Sequence, residues 1–221
     1  MALDRIHLRK LIKILFLPQG GRQGEIRKDI RDERARERGE GSGGGDFYAP
    51  FWADAKNHVF GYGDLHRDVA ARIDGNDRRA NLYPQLRDGF LLWWNERRRW
   101  TNEPFRQGQA LKTHFQFPGL DATVKVDNIL SVRDGLDAEH AVYPYFSLDP
   151  VLTEEAARFS LWLLSAALPT IPPDEFRILD VIRGNTFSLD RTPLHGDEEE
   201  QFRARYRDLL QHRDRLLEEY D

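Results

Sequence analysis

ATVKVDNILSVRDGLDAEHAVYPYFS, residues 122–147, decides how this chain folds. Its first part, ATVKVDNILSV (122–132), is rich in Val, Ile and Leu interleaved with polar residues, the composition of a strand, and it carries Asp127 near its middle. RDGLD (133–137) is a hairpin-turn signal, and EHAVYPYFS (139–147) reads as the returning strand. KTHFQF (112–117) before them and FRILDVIRG (176–184) after them have the same strand character, so an antiparallel sheet is expected. Between the last two strands Thr153 can cap EEAARFSLWLLSAAL, whose residues from Ala156 to Leu168 are apolar almost all round before Pro169, Pro172 and Pro173 stop the helix. Such a helix is buried. The fold class that follows is α+β: a small mixed or antiparallel sheet of about four strands flanked by helices, with an N-terminal helical arm and a C-terminal amphipathic helix.

Upstream of the sheet, residues 46–110 read as helical and aromatic. Asp64 can cap a helix carrying Leu65, Val69 and Ile73, and Pro84 suits the first turn of another in which Leu86, Phe90, Trp93, Trp94, Arg97 and Trp100 recur at helical spacing. Residues 3–17 place Leu8, Leu11, Ile12 and Leu15 on one face and Arg5, Arg9, Lys10 and Lys13 on the other, an amphipathic helix. From 20 to 45 the chain alternates Arg with Asp and Glu, has Ile26 and Ile30 as its only large apolar residues, and closes in GSGGG. This composition describes a solvated, partly helical arm with a flexible hinge near Gly45. Downstream, Asp197 and Glu200 open a helix with Phe202, Tyr206, Leu209, Leu210, Leu216 and Leu217 on one face. The domain division expected is an arm over 1–45 and one α+β domain over 46–221, helical to 110, a sheet core over 111–190 and a terminal helix over 191–221.

Composition bounds the chemistry. The 221 residues contain no Cys, which excludes disulfides, thiolate nucleophiles and Cys-ligated metals. Absence of Cys fits a cytoplasmic setting, and the segment 3–17 is too short and too charged to span a bilayer, leaving peripheral membrane contact or partner docking as its functional readings. Packing against its own domain is the third. The seven His residues have no zinc spacing, no Ser sits in a G-x-S-x-G elbow, and no Walker or Rossmann glycine pattern occurs. GYGD (61–64) reads as a turn.

The order strand, strand with an internal Asp, turn, strand, apolar helix, strand over residues 112–184 resembles the core of the PD-(D/E)XK nuclease superfamily, its RecB-like and Cas4-like branch in particular. The resemblance implies a site in which carboxylates hold Mg²⁺ for phosphodiester hydrolysis. VKVDNI supplies the first acid as Asp127, the candidate metal ligand. Where the family's Asp/Glu-x-Lys should follow, this chain has Tyr143, Pro144, Tyr145 and Phe146, and Glu139 at the strand's start has no Lys two positions on. The expectation is a degenerate nuclease-like fold with no cofactor. Mg²⁺ enters only if a divergent nuclease survives. Catalytic candidates for that case are Asp127 and Glu139, with His114 and His140 able to join Asp127 if the strands align them.

Net charge is −4, yet residues 78–112 carry eight basic and three acidic side chains. WWNERRRW (93–100) offers Arg97, Arg98 and Arg99 to phosphates and Trp100 to a base, a nucleic-acid surface; alternatively the tryptophans anchor the core and the arginines favour a helix C-terminus. The functional expectation is a non-catalytic interaction protein whose partner is another protein or nucleic acid. Its alternatives are a divergent metal-dependent nuclease, and a subunit docked into a larger complex through its N-terminal helix.

Overall fold

The computed structural model describes residues 3–40 and 46–219. The hinge expected at 41–45 lies outside them. The fold is α+β, with seven α-helices and two mixed sheets of three and five strands among the described residues. In chain order the elements are β1 (Arg5–His7), α1 (Leu8–Phe16), α2 (Gln19–Glu37), α3 (Ala49–Val59), α4 (Leu65–Asp74), α5 (Tyr83–Leu92), β2 (Arg106–Gln107), β3 (Thr113–Gln116), β4 (Thr123–Val126), β5 (Leu130–Arg133), β6 (Glu139–Tyr145), α6 (Glu154–Ala167), β7 (Phe176–Asp180), β8 (Asn185–Phe187) and α7 (Glu198–Glu218).

The single strand expected over 122–132 is broken in two. Asn128 takes a left-handed backbone with φ 62°, a conformation Asn tolerates better than other residues with a side chain, and the chain passes there from one sheet to the other. β4 pairs antiparallel with β3 and parallel with β1, while β5 pairs antiparallel with β2 and β6. β7 then joins β6 in parallel, which requires the crossover through α6, and β8 completes the five-stranded order β2-β5-β6-β7-β8.

β6 is buried on both faces. Ala141, Tyr143 and Tyr145 point into a core shared with α1, α6 and α7, and Val142 and Phe146 point into a second core under α3, α4 and α5. That is why its sequence is continuously apolar rather than alternating. α6, capped by the Thr153 hydroxyl, which accepts a hydrogen bond from the Ala156 N–H, buries Ala156, Ala157, Phe159, Leu161, Leu163 and Leu164.

The N-terminal segment is spent on the domain's own core. Leu8, Leu11, Ile12 and Leu15 are buried as their spacing requires, and so is Ile14. The three residues before them are extended rather than helical, because the edge of β4 offers a ladder to Arg5–His7. α2 is the helical part of the arm, docked through buried Ile26 and Ile30 and pinned by the Lys10–Asp29 and Lys13–Glu25 ion pairs to α1. The Arg213–Glu33 pair ties it to α7, and the Tyr206 hydroxyl donates to the Leu3 carbonyl at 2.5 Å.

The helix expected to run through Trp100 stops earlier. After α5 the backbone widens into a π-turn over Trp93–Arg97 and leaves helix at Arg98. The wider turn lets the consecutive Trp93 and Trp94 both reach the core. α5 itself crosses the turn after β7 at Gly89, where an added Cβ would lie 2.2 Å from the carbonyl oxygens of Val181 and Ile182. In an ordinary helix interior Gly→Ala stabilises by about 1 kcal/mol. Here overpacking reverses the sign, and Gly89→Ala is expected to destabilise by about 1–3 kcal/mol, read as a lowered urea midpoint. A raised midpoint would show that α5 does not sit this close.

Candidate anion site

The break at Asn128 also aims Asp127. The Asn128 carbonyl accepts a hydrogen bond from the buried Trp52 indole N–H at 2.5 Å, which ties the break to α3. Asp127 Oδ1 receives His7 Nδ1 at 3.0 Å and the Asn128 side-chain amide at 3.1 Å. β1 places His7 opposite Lys125, and α1 begins at the next residue, so the first turn of α1 lies across this end of the sheet. There the Arg9 backbone N–H donates to the Tyr143 hydroxyl at 3.0 Å.

The charged neighbours hold Asp127 ionised. Burial pushes the Asp127 carboxyl up, but the His7 hydrogen bond and the charges of His7, Arg9 and Lys112 outweigh it and hold the group below the ordinary carboxylate range. Burial pushes the Tyr143 phenol far above its usual value, with the Arg9 charge opposing, so it stays neutral. Burial also holds the Lys56 ammonium on α3 below its ordinary value, with Asp127 partly restoring it.

Beside this cluster, between α1, α2 and the end of β6, opens a cavity of about 370 Å³. His7, Arg9, Lys10, Lys13 and Lys28 line it against Glu25 and Asp46. Arg9 pairs with Asp46, and Lys13 with Glu25 at 2.6 Å. Lys10 is committed to the buried Asp29 at 3.2 Å. Lys28 is exposed and has no ion pair or hydrogen bond among the described residues. The aromatic side is the Tyr48 ring stacked on Phe146, centroids 4.8 Å apart and planes 5° apart, with the Arg9 guanidinium 5.8 Å from the Phe146 centroid.

No protein-family model, curated protein or solved structure matches this chain.

The donor set around Asp127 does not suit a hard cation. A divalent ion needs several oxygen ligands, whereas Asp127 already accepts two N–H bonds through one oxygen and faces a neutral phenol and cationic side chains. The other acid proposed beside it is elsewhere. Glu139 stands opposite Arg133 at the far end of β5, where it accepts from the Ser131 hydroxyl at 2.6 Å and from Gln109. His114 is exposed on β3 opposite Lys125, in the three-stranded sheet. His140 is buried in the five-stranded sheet between Glu175 and Asp134, at 2.5 and 3.4 Å, so neither His joins Asp127 and His7 takes that place.

Among the described residues, one group of three has ligand atoms convergent enough for a metal: His195, Asp197 and Glu198. Glu198 there accepts the backbone N–H groups of His195 and Gly196, the work of a helix-start cap.

The arginine run is tied into the fold. Arg97 donates to the carbonyls of Arg183 and Gly184 and to Asn185, and Arg98 lies between the Trp94 and Phe105 rings at 3.9 and 4.3 Å. Arg99 pairs with Asp190. Trp100 is buried, its ring stacked on His140 at 4.1 Å, so a base could reach that face only by displacing the His. Sequence reasoning missed His7 and Lys28 because a three-residue strand and a polar helix carry almost no periodic signal.

The lowered Asp127 pKa fixes a sign. The unfolded chain binds this proton more readily, so the stability from Asp127 is complete above the unfolded value and is lost as pH falls through the folded one. Asp127→Asn should therefore be less stable than wild type at about pH 5, with the gap closing toward about pH 3 in denaturant titrations. A gap that does not change across this window would mean that the His7–Asp127 contact adds nothing.

Proposed function

We propose that this chain is a non-catalytic nucleic-acid-binding protein on a degenerate nuclease-like fold, which takes backbone phosphate in the basic cavity between α1, α2 and β6. The observation that carries the reading is the cavity lining: Lys28 without an ion pair among the described residues, and Arg9, Lys10 and Lys13 paired with Asp46, Asp29 and Glu25, beside a stacked Tyr48–Phe146 pair. Cationic side chains pair with phosphate and flat rings accept a sugar or base, a combination suited to single strands. What supports the degenerate nuclease-like reading is the position of Asp127 at the strand break, next to the Tyr-bearing β6.

One observation weighs against docking through α1. The apolar face of α1 is buried within the domain, so it is not offered to a membrane or to a groove on another subunit. Among the described residues no helix is long and apolar enough to cross a membrane.

The test is fluorescence anisotropy with labelled single-stranded DNA and RNA across a salt series, with and without Mg²⁺, followed by analysis of the same samples for cleavage. Lys13→Ala/Lys28→Ala leaves the Lys10–Asp29 pair intact. It should lower the slope of log affinity against log salt by about 1.4, two lost contacts at about 0.7 each for a single strand. Binding unaffected by salt or by this double variant would overturn the reading, and Mg²⁺-dependent cleavage abolished by Asp127→Ala would replace it with the nuclease.

A further inference from the structure

A second cavity, of about 320 Å³, opens on the α3 side of the Asn128 break. Lys56 belongs to its wall and lies in the field of Asp127, so Asp127 stands between this cavity and the basic one, which His7 lines. The two linings differ in chemistry. This one contains no carboxylate and one cation, Lys56, which has no hydrogen bond or ion pair among the described residues. Its other polar side chains are neutral: the Ser131 hydroxyl and the amides of Asn57, Gln107, Gln109 and Asn128, of which Ser131 and Gln109 donate to Glu139 and Asn128 to Asp127. Ala110 and Leu111 add backbone amides that carry no hydrogen bond among the described residues.

The rim is aromatic and held by backbone geometry. α3 ends in a Schellman turn, with the Gly61 N–H on the His58 carbonyl at 3.1 Å and the Tyr62 N–H on the Asn57 carbonyl at 2.8 Å. Gly61 takes the φ of 72° this turn needs. The turn sets Tyr62 at the mouth, 73% exposed, beside Phe60 with ring centroids 6.2 Å apart. A large exposed ring over a cavity in which the Asn57 and Gln107 side-chain amides have no hydrogen bond among the described residues has a face for stacking and an edge-reading pair beneath it.

A metal or polycation finds no free carboxylate here, since Glu139 behind the wall is engaged by Ser131 and Gln109, and a multiply charged anion finds a single ammonium. A flat, neutral, hydrogen-bonding ring that carries its negative charge at one side satisfies all three features. We infer that this cavity receives an unstacked nucleobase of a single strand, with Tyr62 on its face, the amides of Asn57 and Gln107 at its edge, and its phosphate toward Lys56. The inference rests on the nucleic-acid reading above and assigns that reading its base site. Phosphate contacts position a strand, whereas contacts to the base decide what is bound.

The experiment compares an ordinary single-stranded oligonucleotide with an abasic strand of equal length and phosphate count, both binding the full chain. Wild type should prefer the base-bearing strand about tenfold, the scale of one stacked base. Tyr62→Ala and Asn57→Ala, both at exposed positions, should remove that preference and leave the salt slope alone, while Lys13→Ala/Lys28→Ala should weaken both strands equally. Equal affinity of wild type for the two strands would overturn the base site and leave phosphate binding standing. A preference that survives Tyr62→Ala would also overturn it, by placing the base elsewhere. Binding of neither strand would overturn both readings together.

Discussion

The hydrogen bond from the Trp52 indole to the Asn128 carbonyl is the contact on which the rest of this architecture depends. A left-handed residue other than Gly costs on the order of 1–3 kcal/mol and persists only where its surroundings over-determine it. Trp52 does so from a fully packed position, 2% exposed, with edge-to-face contacts to Phe90 and Phe146. The break it holds lets one run of sequence serve two sheets, and it leaves Asp127 at the corner between them. Were 122–132 continuous, the parallel edge that receives β1 would be displaced along with His7 and Arg9.

Layering explains why the middle of β6 carries aromatic side chains and the charges of this corner come from other elements. β6 is committed to packing on both faces, so its central positions carry Tyr143 and Tyr145, whose rings fill one core while their hydroxyls reach backbone groups of Arg9 and Pro150. A carboxylate and an ammonium at these positions would each need a partner in a region that supplies mostly apolar contacts. The charge of the corner is supplied instead by the N-terminal segment, laid across the sheet end from outside. Burial keeps the phenol neutral and the lysine of α3 poorly solvated, while the carboxylate stays ionised against burial because His7, Arg9 and Lys112 surround it.

Strands, the crossover helix and the terminal helix were legible because hydrophobic period and caps are local properties, as at Thr153 and along Phe202, Tyr206 and Leu209. The break at Asn128 was not, since its cause is an indole on α3, 76 residues away in the chain. The same holds for α2, which has two buried isoleucines and reads as solvated until Lys10 and Lys13 are known to face it. Of the candidate site, Asp127 was visible as an acid within a strand. Its partner was hidden because β1 is too short to show alternation and its ladder is made with residues far along the sequence. The arginine and tryptophan run divides in a way its composition does not show: Arg98 lies between two rings and Trp100 is buried, while Arg97 and Arg99 stay exposed on bonds to carbonyl oxygens and to Asp190.

The pairing of β1 with β4, closed from outside by α7, has a consequence for synthesis. Leu3 leaves the ribosome some two hundred residues before Tyr206, whose hydroxyl bonds its carbonyl in the shared core. The nascent chain must therefore keep the apolar residues of β1 and α1 soluble while most of the domain is added, and the Arg- and Glu-rich stretch of α2 that follows gives that waiting segment its charge.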